Sequence, residues 1–260
     1  MSDSSKAKLE EKIDSLLAPP RKKIREDGFK KSKVINEVLD KSTMMTLYKM
    51  INSGTLHYVN GVIRAGKESV LFWAVDKQGR DIALKIYLVT TSNFKKRTSY
   101  IIGDPRFSRI KKGTRSIVET WARKEFRNLN QCVQNGIPCV IPITVSRNVL
   151  AMEFLGVKGV PTKTLVESVI DYDDYKDAIS LILRLYRKAR LVHADFSEYN
   201  LFKTEKGLIV FDLASAVDIR HPNAMEFLKR DINNITRFFV RRGLTVQNPL
   251  NIFARATNEF

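Results

Sequence analysis

The hydrophobic pattern changes period several times along the chain. Leu9, Ile13, Leu16 and Leu17 recur at helical spacing until Pro19-Pro20 stops the segment, and a basic linker follows. Met45, Leu47, Tyr48 and Ile51 predict a second helix, capped by Ser42, running to Asn52 and stopped at Gly54. Both are read as an appendage over residues 1–57. From Tyr58 the period shortens to that of strands, over 59–64, 69–75 and 82–87, joined by Ala65-Gly66-Lys67-Glu68 and Asp76-Lys77-Gln78-Gly79 as an antiparallel meander. A helix follows over 116–134, then a strand from Val149 that leads through Glu153, Phe154 and Leu155 into a short connector. Ala178, Leu181, Ile182, Leu185 and Ala189 share one face of a helix spanning 173–191. Leu208-Ile209-Val210-Phe211 reads as a buried strand, and Phe227, Leu228, Ile232, Ile235, Phe238 and Phe239 mark a strong helix over 223–242. The sequence has no internal repeat.

Composition narrows the class. A chain of 260 residues with 43% hydrophobic content can bury a good core as one domain or two joined lobes. No apolar run approaches the roughly 20 residues that span a bilayer, and Met1-Ser2-Asp3-Ser4-Ser5-Lys6 is not a signal peptide, so the expected setting is the cytoplasm with no membrane partner. Cys132 and Cys139 supply neither a disulfide framework nor a zinc site and are expected as buried thiols. The 45 Lys+Arg against 28 Asp+Glu give +17, a balance that attracts polyanions such as RNA or else solvates the surface. An insert over 90–115 concentrates Lys95, Lys96, Arg97, Arg106, Arg109, Lys111, Lys112 and Arg115 against the single acid Asp104, interleaved with Tyr100 and Phe107. That composition suits RNA stacking and equally suits a loop that orders over substrate.

The candidate chemistry lies in His193-Ala194-Asp195-Phe196-Ser197-Glu198-Tyr199-Asn200 and in Phe211-Asp212-Leu213. An Asp followed five residues later by Asn, and then by an Asp at the end of an apolar run, is the spacing that phosphoryl transfer from ATP uses for a base and two metal ligands. Hard Mg2+ prefers carboxylate, amide and phosphate oxygens; Mn2+ accepts the same donors. Asp195 would face the acceptor hydroxyl while Asn200 and Asp212 hold metal, and His193 would brace the loop. The alternative is an Asp/Asn-rich surface turn, which Asp212 disfavours, because an acid ending a buried strand needs a partner. Lys85, alone among apolar neighbours in Ala83-Leu84-Lys85-Ile86, is the candidate phosphate contact, with Glu119 and Glu125 as acids to pair with it and Glu125 the choice.

These residues resemble the RIO-type atypical protein kinases, type-one branch. The likeness runs from about Gly61 to Gly243 through Gly66-Lys67-Glu68, Ala83-Leu84-Lys85-Ile86-Tyr87, Trp121-Ala122-Arg123-Lys124-Glu125-Phe126-Arg127-Asn128-Leu129, the octapeptide, His221-Pro222-Asn223-Ala224 and Glu226-Phe227-Leu228-Lys229-Arg230-Asp231. It implies an α+β, trimmed bilobal protein-kinase-like fold: an N-lobe over 58–152 carrying the basic insert, and a shortened C-lobe over 153–260. It also implies that Gly66, Lys67, Glu68, Ser69 and Lys85 hold ATP phosphates, that Glu125 pairs with Lys85, and that Glu153 and Leu155 offer backbone to adenine. Asp195 would act as base, Asn200 and Asp212 as metal ligands, and Asp212 also as an aspartyl-phosphate acceptor. The implied partner is a pre-small-ribosomal-subunit particle, rRNA and ribosomal proteins together. With no N-terminal winged helix read in the sequence, the resemblance is expected to lie with the type-one rather than the type-two branch. Two features depart from pattern: Arg64-Ala65 stands where the family has Ser-Thr before Gly-Lys, and Phe211-Asp212-Leu213 replaces the Asp-Phe-Gly of ordinary kinases. No Ala-Pro-Glu follows Asp212. The competing functions are an RNA-docking assembly factor timed by ATP hydrolysis through phospho-Asp212, and a small-molecule phosphotransferase with an Asp…Asn loop.

Overall fold

The computed structural model describes residues 39–89, 100–107 and 113–258. The expected helix around 9–17 and the insert's Lys95, Lys96, Arg97, Arg109, Lys111 and Lys112 lie outside them. The described residues divide into two compact units. The first comprises 39–89 with Ile143–Pro161, and the second comprises 100–107, 113–142 and 162–258. The 116–134 helix, expected within a lobe over 58–152, groups with the second unit.

In the first unit, helix α1 (Lys41–Asn52) precedes β1 (Tyr58–Ala65), β2 (Ser69–Val75) and β3 (Asp81–Tyr87), which form the expected meander. Strands β4 (Pro142–Ser146) and β5 (Val149–Glu153) complete a sheet in the order β1-β2-β3-β5-β4, with Pro142 on the edge strand, where a missing N–H is harmless. Asp40, not Ser42, caps α1: its carboxylate accepts from the Thr43 N–H at 2.8 Å, and Ser42 falls within the first turn. Nor is α1 an appendage. Its Leu47 and Met50 join Val70, Phe72, Ala74, Ile82, Leu84 and Ile86 in one buried cluster. Because side chains alternate across a strand, Lys85 lies on the sheet face opposite that cluster, level with Leu71 and Leu150. The short hairpin of β6 (Gly156–Val157) and β7 (Val160–Pro161) follows the connector. Gly156 is required there, because an added Cβ would sit 2.1 Å from the Val160 carbonyl oxygen.

The second unit contains helix α2 (Thr114–Gln134), which begins early enough to take Arg115 out of the insert. Helix α3 (Tyr172–Arg187) is capped by Asp171 and stops four residues before the expected end at Leu191. Arg190 adopts φ 54°, and Leu191 then pairs in a strand; an apolar residue at the right spacing is buried in either conformation, so periodicity could not place the stop. Strand β8 (Leu191–Val192) pairs with β11 (Val217–Asp218), and β9 (Leu201–Thr204) forms a hairpin with β10 (Gly207–Val210). Helix α4 (Ala224–Arg241) buries Phe227, Leu228, Ile232, Ile235 and Phe239, each contributing about 1.5–3 kcal/mol. Helix α5 (Pro249–Thr257), absent from the sequence reading, starts on an Asn248 cap and packs on α3 and α4. Cys132 and Cys139 are buried thiols; their mutual contact and burial push the Cys132 thiol upward. No described helix is long and apolar enough to cross a membrane.

Candidate active site

The loop entered from β8 is shaped from beneath. Asp231 of α4, 1% exposed, accepts the Ala194 N–H at 2.7 Å and the Phe196 N–H at 3.0 Å. These two bonds bracket Asp195. They fix Ala194 in the left-handed region (φ 64°) and bury Phe196, leaving the Asp195 side chain exposed. Ile182, Leu185, Leu191, Val192, Phe196 and Leu228 surround the Asp231 carboxyl. That burial pushes it up to about 6, while the His193 charge and the two N–H bonds pull the other way. Sequence reading placed Asp231 only within a family motif and gave it no role. A buried acid on an otherwise apolar helix face was the available signal.

Asn200 closes the loop. Its Nδ2 donates to the Asp195 carbonyl at 2.9 Å and lies 3.4 Å from Asp195 Oδ2. With Nδ2 engaged there, Oδ1 is the atom Asn200 offers to a hard cation. The β9–β10 hairpin then returns the chain, pairing Leu201 with Val210, and the Phe211 N–H donates to the Asn200 carbonyl at 3.1 Å. Asp195, Asn200 and Asp212 are thereby gathered by local hydrogen bonds. His193 is the expected brace: it is 2% exposed, and its Nε2 meets the Phe211 carbonyl at 3.1 Å.

Asp212 itself adopts φ 58°, a left-handed conformation that non-glycine residues rarely take unless their surroundings enforce it. The turn after it is held by α2. Lys124, 0% exposed, donates from Nζ to the Ala214 carbonyl at 2.9 Å and to the Ala216 carbonyl. Asn128 Nδ2 donates to the Leu213 carbonyl at 2.8 Å and to the Ala216 carbonyl at 3.0 Å. Burial pushes the Lys124 ammonium down to about 7, with Asp104 as the largest opposing influence. Neither Lys124 nor Asn128 was singled out from sequence.

The remaining expected residues are distributed as follows. Gly66 and Lys67 are exposed at the β1–β2 hairpin tip, with Glu68 and Ser69 half-buried beside them. The Gly66 N–H donates to the Ser69 carbonyl at 2.9 Å and the Leu88 N–H to the Glu68 carbonyl at 2.8 Å. Lys85 is 9% exposed, its Nζ 5.3 Å from the Tyr87 ring centroid. Glu153 ends β5 opposite Ile82, and Leu155 is half-buried in the connector. All of these belong to the first unit. Glu125, 1% exposed, is carried by α2 of the second, whereas Glu119 pairs with Arg123 at 3.8 Å.

The donor set is one of hard oxygens, which fits Mg2+. No cluster of three or more His, Cys, Asp or Glu side chains capable of holding a metal occurs among the described residues. Any cation held by Asn200 and Asp212 would need further oxygens, such as those of phosphate and water, to complete its shell.

A five-stranded antiparallel sheet with one lysine on its central strand, followed by a mainly helical unit bearing an Asp…Asn loop and a second Asp, defines a trimmed bilobal protein-kinase-like α+β fold. Solved structures share it: the Rio2 kinase from Chaetomium thermophilum matches with a TM-score of 0.67 and 25% identity, covering 98% of this chain and 76% of that one. Its ADP/Mg2+-phosphoaspartate complex gives 0.65 at 21% identity, over 99% and 77%. The chain belongs to the RIO domain family, which it matches over residues 70–251. It is 40% identical over 213 residues to the RIO-type serine/threonine-protein kinase Rio1 of Haloferax volcanii, covering 81% of this chain and 73% of that protein. It is 37% identical over 231 residues to serine/threonine-protein kinase RIO3 of Caenorhabditis elegans, of which it spans 44%. Of human RIO1, 36% identical, it spans 40%.

Proposed function

We propose that the chain is an ATP- and Mg2+-dependent phosphotransferase, an atypical serine/threonine protein kinase that also phosphorylates itself. The observation that carries this reading is the gathering of Asp195, Asn200 and Asp212: Asn200 bonds the Asp195 carbonyl at 2.9 Å and receives the Phe211 N–H at 3.1 Å. Asp195, which is exposed, takes the proton of an acceptor hydroxyl as that hydroxyl's oxygen bonds to the γ-phosphorus and the bond to the ADP oxygen breaks. Asn200 and Asp212 hold Mg2+, which when bound neutralises charge on the phosphate oxygens. Lys85 and the Gly66, Lys67, Glu68 and Ser69 turn engage the phosphates, and the backbone at Glu153 and Leu155 reads adenine. Mn2+ can replace Mg2+ in the same oxygen set. The +17 charge supports a polyanionic partner, a pre-small-ribosomal-subunit particle in this reading, met in the cytoplasm.

One observation favours a second outcome at the same site. Asp212 is fixed in an uncommon conformation on a braced turn, as suits a carboxylate that must present one oxygen in a set direction. The Chaetomium Rio2 kinase is described with ADP, Mg2+ and phosphoaspartate. On this reading an Asp212 oxygen attacks the γ-phosphorus, ADP leaves, and hydrolysis of the acyl phosphate times release of an assembly factor. The two are separated by incubating the protein with γ-labelled ATP and Mg2+ and dividing the labelled product. Acid-stable label on Ser or Thr supports the kinase; label removed by hydroxylamine and mapped to Asp212 supports the ATPase switch. With no label, ATP consumption stimulated by small alcohols would overturn both.

A further inference from the structure

The residues flanking Asp212 are each held by their carbonyl oxygens from a different element. Phe211 is held by His193 Nε2 at 3.1 Å, and Leu213 by Asn128 Nδ2 at 2.8 Å. The second anchor has a support of its own. Arg106 Nη1 donates to Asn128 Oδ1 at 2.8 Å, which obliges the Asn128 amide to turn its N–H groups toward Leu213 and Ala216. Arg106 is locked in turn by a two-pronged pair with Asp104, Nε to Oδ1 at 2.9 Å and Nη2 to Oδ2 at 2.7 Å. It also reaches Gln131 Oε1 at 3.0 Å. Asp104 and Arg106 belong to 100–107, a segment pinned where His221 Nε2 donates to the Ile102 carbonyl at 3.0 Å. His221 Nδ1 accepts from the Asn223 N–H at 3.1 Å, which leaves Nε2 as the protonated nitrogen. Gly103 (φ 90°) leaves no room for a Cβ, which would meet Pro222 at 2.9 Å.

Lys124 completes the arrangement. A lysine with no exposed surface that spends its ammonium on two main-chain carbonyls, Ala214 and Ala216, is expensive to bury, and what it fixes is the path of the chain just beyond Asp212. We propose that Asn128 and Lys124, ordered by the Asp104–Arg106 pair, are positioning residues that set the Asp212 turn for divalent-cation binding. The described segment 100–107 of the basic insert would then be part of the metal-binding apparatus. This rests on the reading of Asp212 as a metal ligand.

The test is Mn2+ binding to the full chain with a non-hydrolysable ATP analogue, followed by electron paramagnetic resonance, beside metal-free binding of the same analogue. Asn128→Leu and Lys124→Met should weaken Mn2+ binding by about tenfold or more, as loss of an outer support for a metal ligand does. Arg106→Ala, at a less deeply buried side chain, should weaken it by about threefold, and Arg106→Lys should recover only part of that. Metal-free nucleotide affinity should stay within about twofold in all of them. A merely structural role would lower melting temperature while leaving the Mn2+ affinity of folded protein at the wild-type value. If Lys124→Met does not fold, Asn128→Leu and Arg106→Ala decide the matter. Wild-type Mn2+ affinity in those two, with affinity lost in Asp212→Ala, overturns the brace. Undiminished Mn2+ binding in Asp212→Ala instead overturns the reading of the metal site.

Discussion

The β1–β2 hairpin tip and the turn after β10 both carry expected nucleotide or metal groups, yet they are held by different means. Gly66 and Lys67 are exposed, and the hydrogen bonds described around the tip run between main-chain groups. Asp212 sits between carbonyls gripped by His193, Asn128 and Lys124, all three buried and drawn from distant parts of the sequence. A hairpin that cradles diffuse phosphate charge needs only its strand ladder to keep its shape. A non-glycine residue in the left-handed region, as Asp212 is, needs its turn held by outside supports, and here buried side chains supply them. The hairpin tip of the first unit is thus held by main-chain bonds alone among those described, and the Asp212 turn of the second by buried side chains.

Several changes sharpen or break that contrast. The largest effect is expected in the loop after β8, on the same unit as the braced turn. Asp195→Ala should lower phosphate transfer by about a thousandfold or more. Because Asp195 is exposed and Asp231 bonds its neighbours' main chain, the melting temperature should move by no more than about 2 °C. Asp231→Ala should do the reverse in kind. It strands two buried N–H groups, lowers stability by about 3 kcal/mol in denaturant unfolding, and takes activity down with the loop.

Asp231 also predicts a pH dependence of similar size. Its folded carboxyl lies at about 6 and its ordinary value is 3.8, so between those limits the folded chain holds a proton that the unfolded chain has released. Stability contributed by this group is present below pH 4 and declines by about 3 kcal/mol as pH rises to 6. The difference between wild type and Asp231→Asn, measured by unfolding from pH 4 to 7, should trace that decline and then flatten. A difference independent of pH would contradict it.

The smallest effect belongs to the hairpin tip. Lys67→Ala should raise KM for ATP by about threefold with kcat and melting temperature nearly unchanged, the size of a solvent-exposed ion contact. A hundredfold loss there would erase the contrast between the two regions.

How much of this was visible in the sequence follows the same division. Strands β2 and β3 were legible because alternation is a local signal, and the short Asp195…Asn200 spacing pointed to a loop that the Asn200 side chain does close. The core role of α1 was not, since Leu47 and Met50 meet β2 and β3 only through tertiary packing. The end of α3 was missed because Leu191 continues a helical stripe while serving a strand. The supports Lys124, Asn128 and Arg106 were invisible in their roles. Their partners lie 85 and 92 residues away for the α2–turn bonds and 22 for Arg106–Asn128, and a lone Lys or Asn in a helix looks like any solvated residue.

The measurement that tests the account most directly is single-turnover transfer from γ-labelled ATP with Mg2+, comparing the wild-type chain with Asp195→Ala and Asp212→Ala. Label is expected on wild-type protein, with a loss in both variants of about a thousandfold in rate and the folded state of Asp195→Ala intact. Undiminished labelling in either variant would contradict the account.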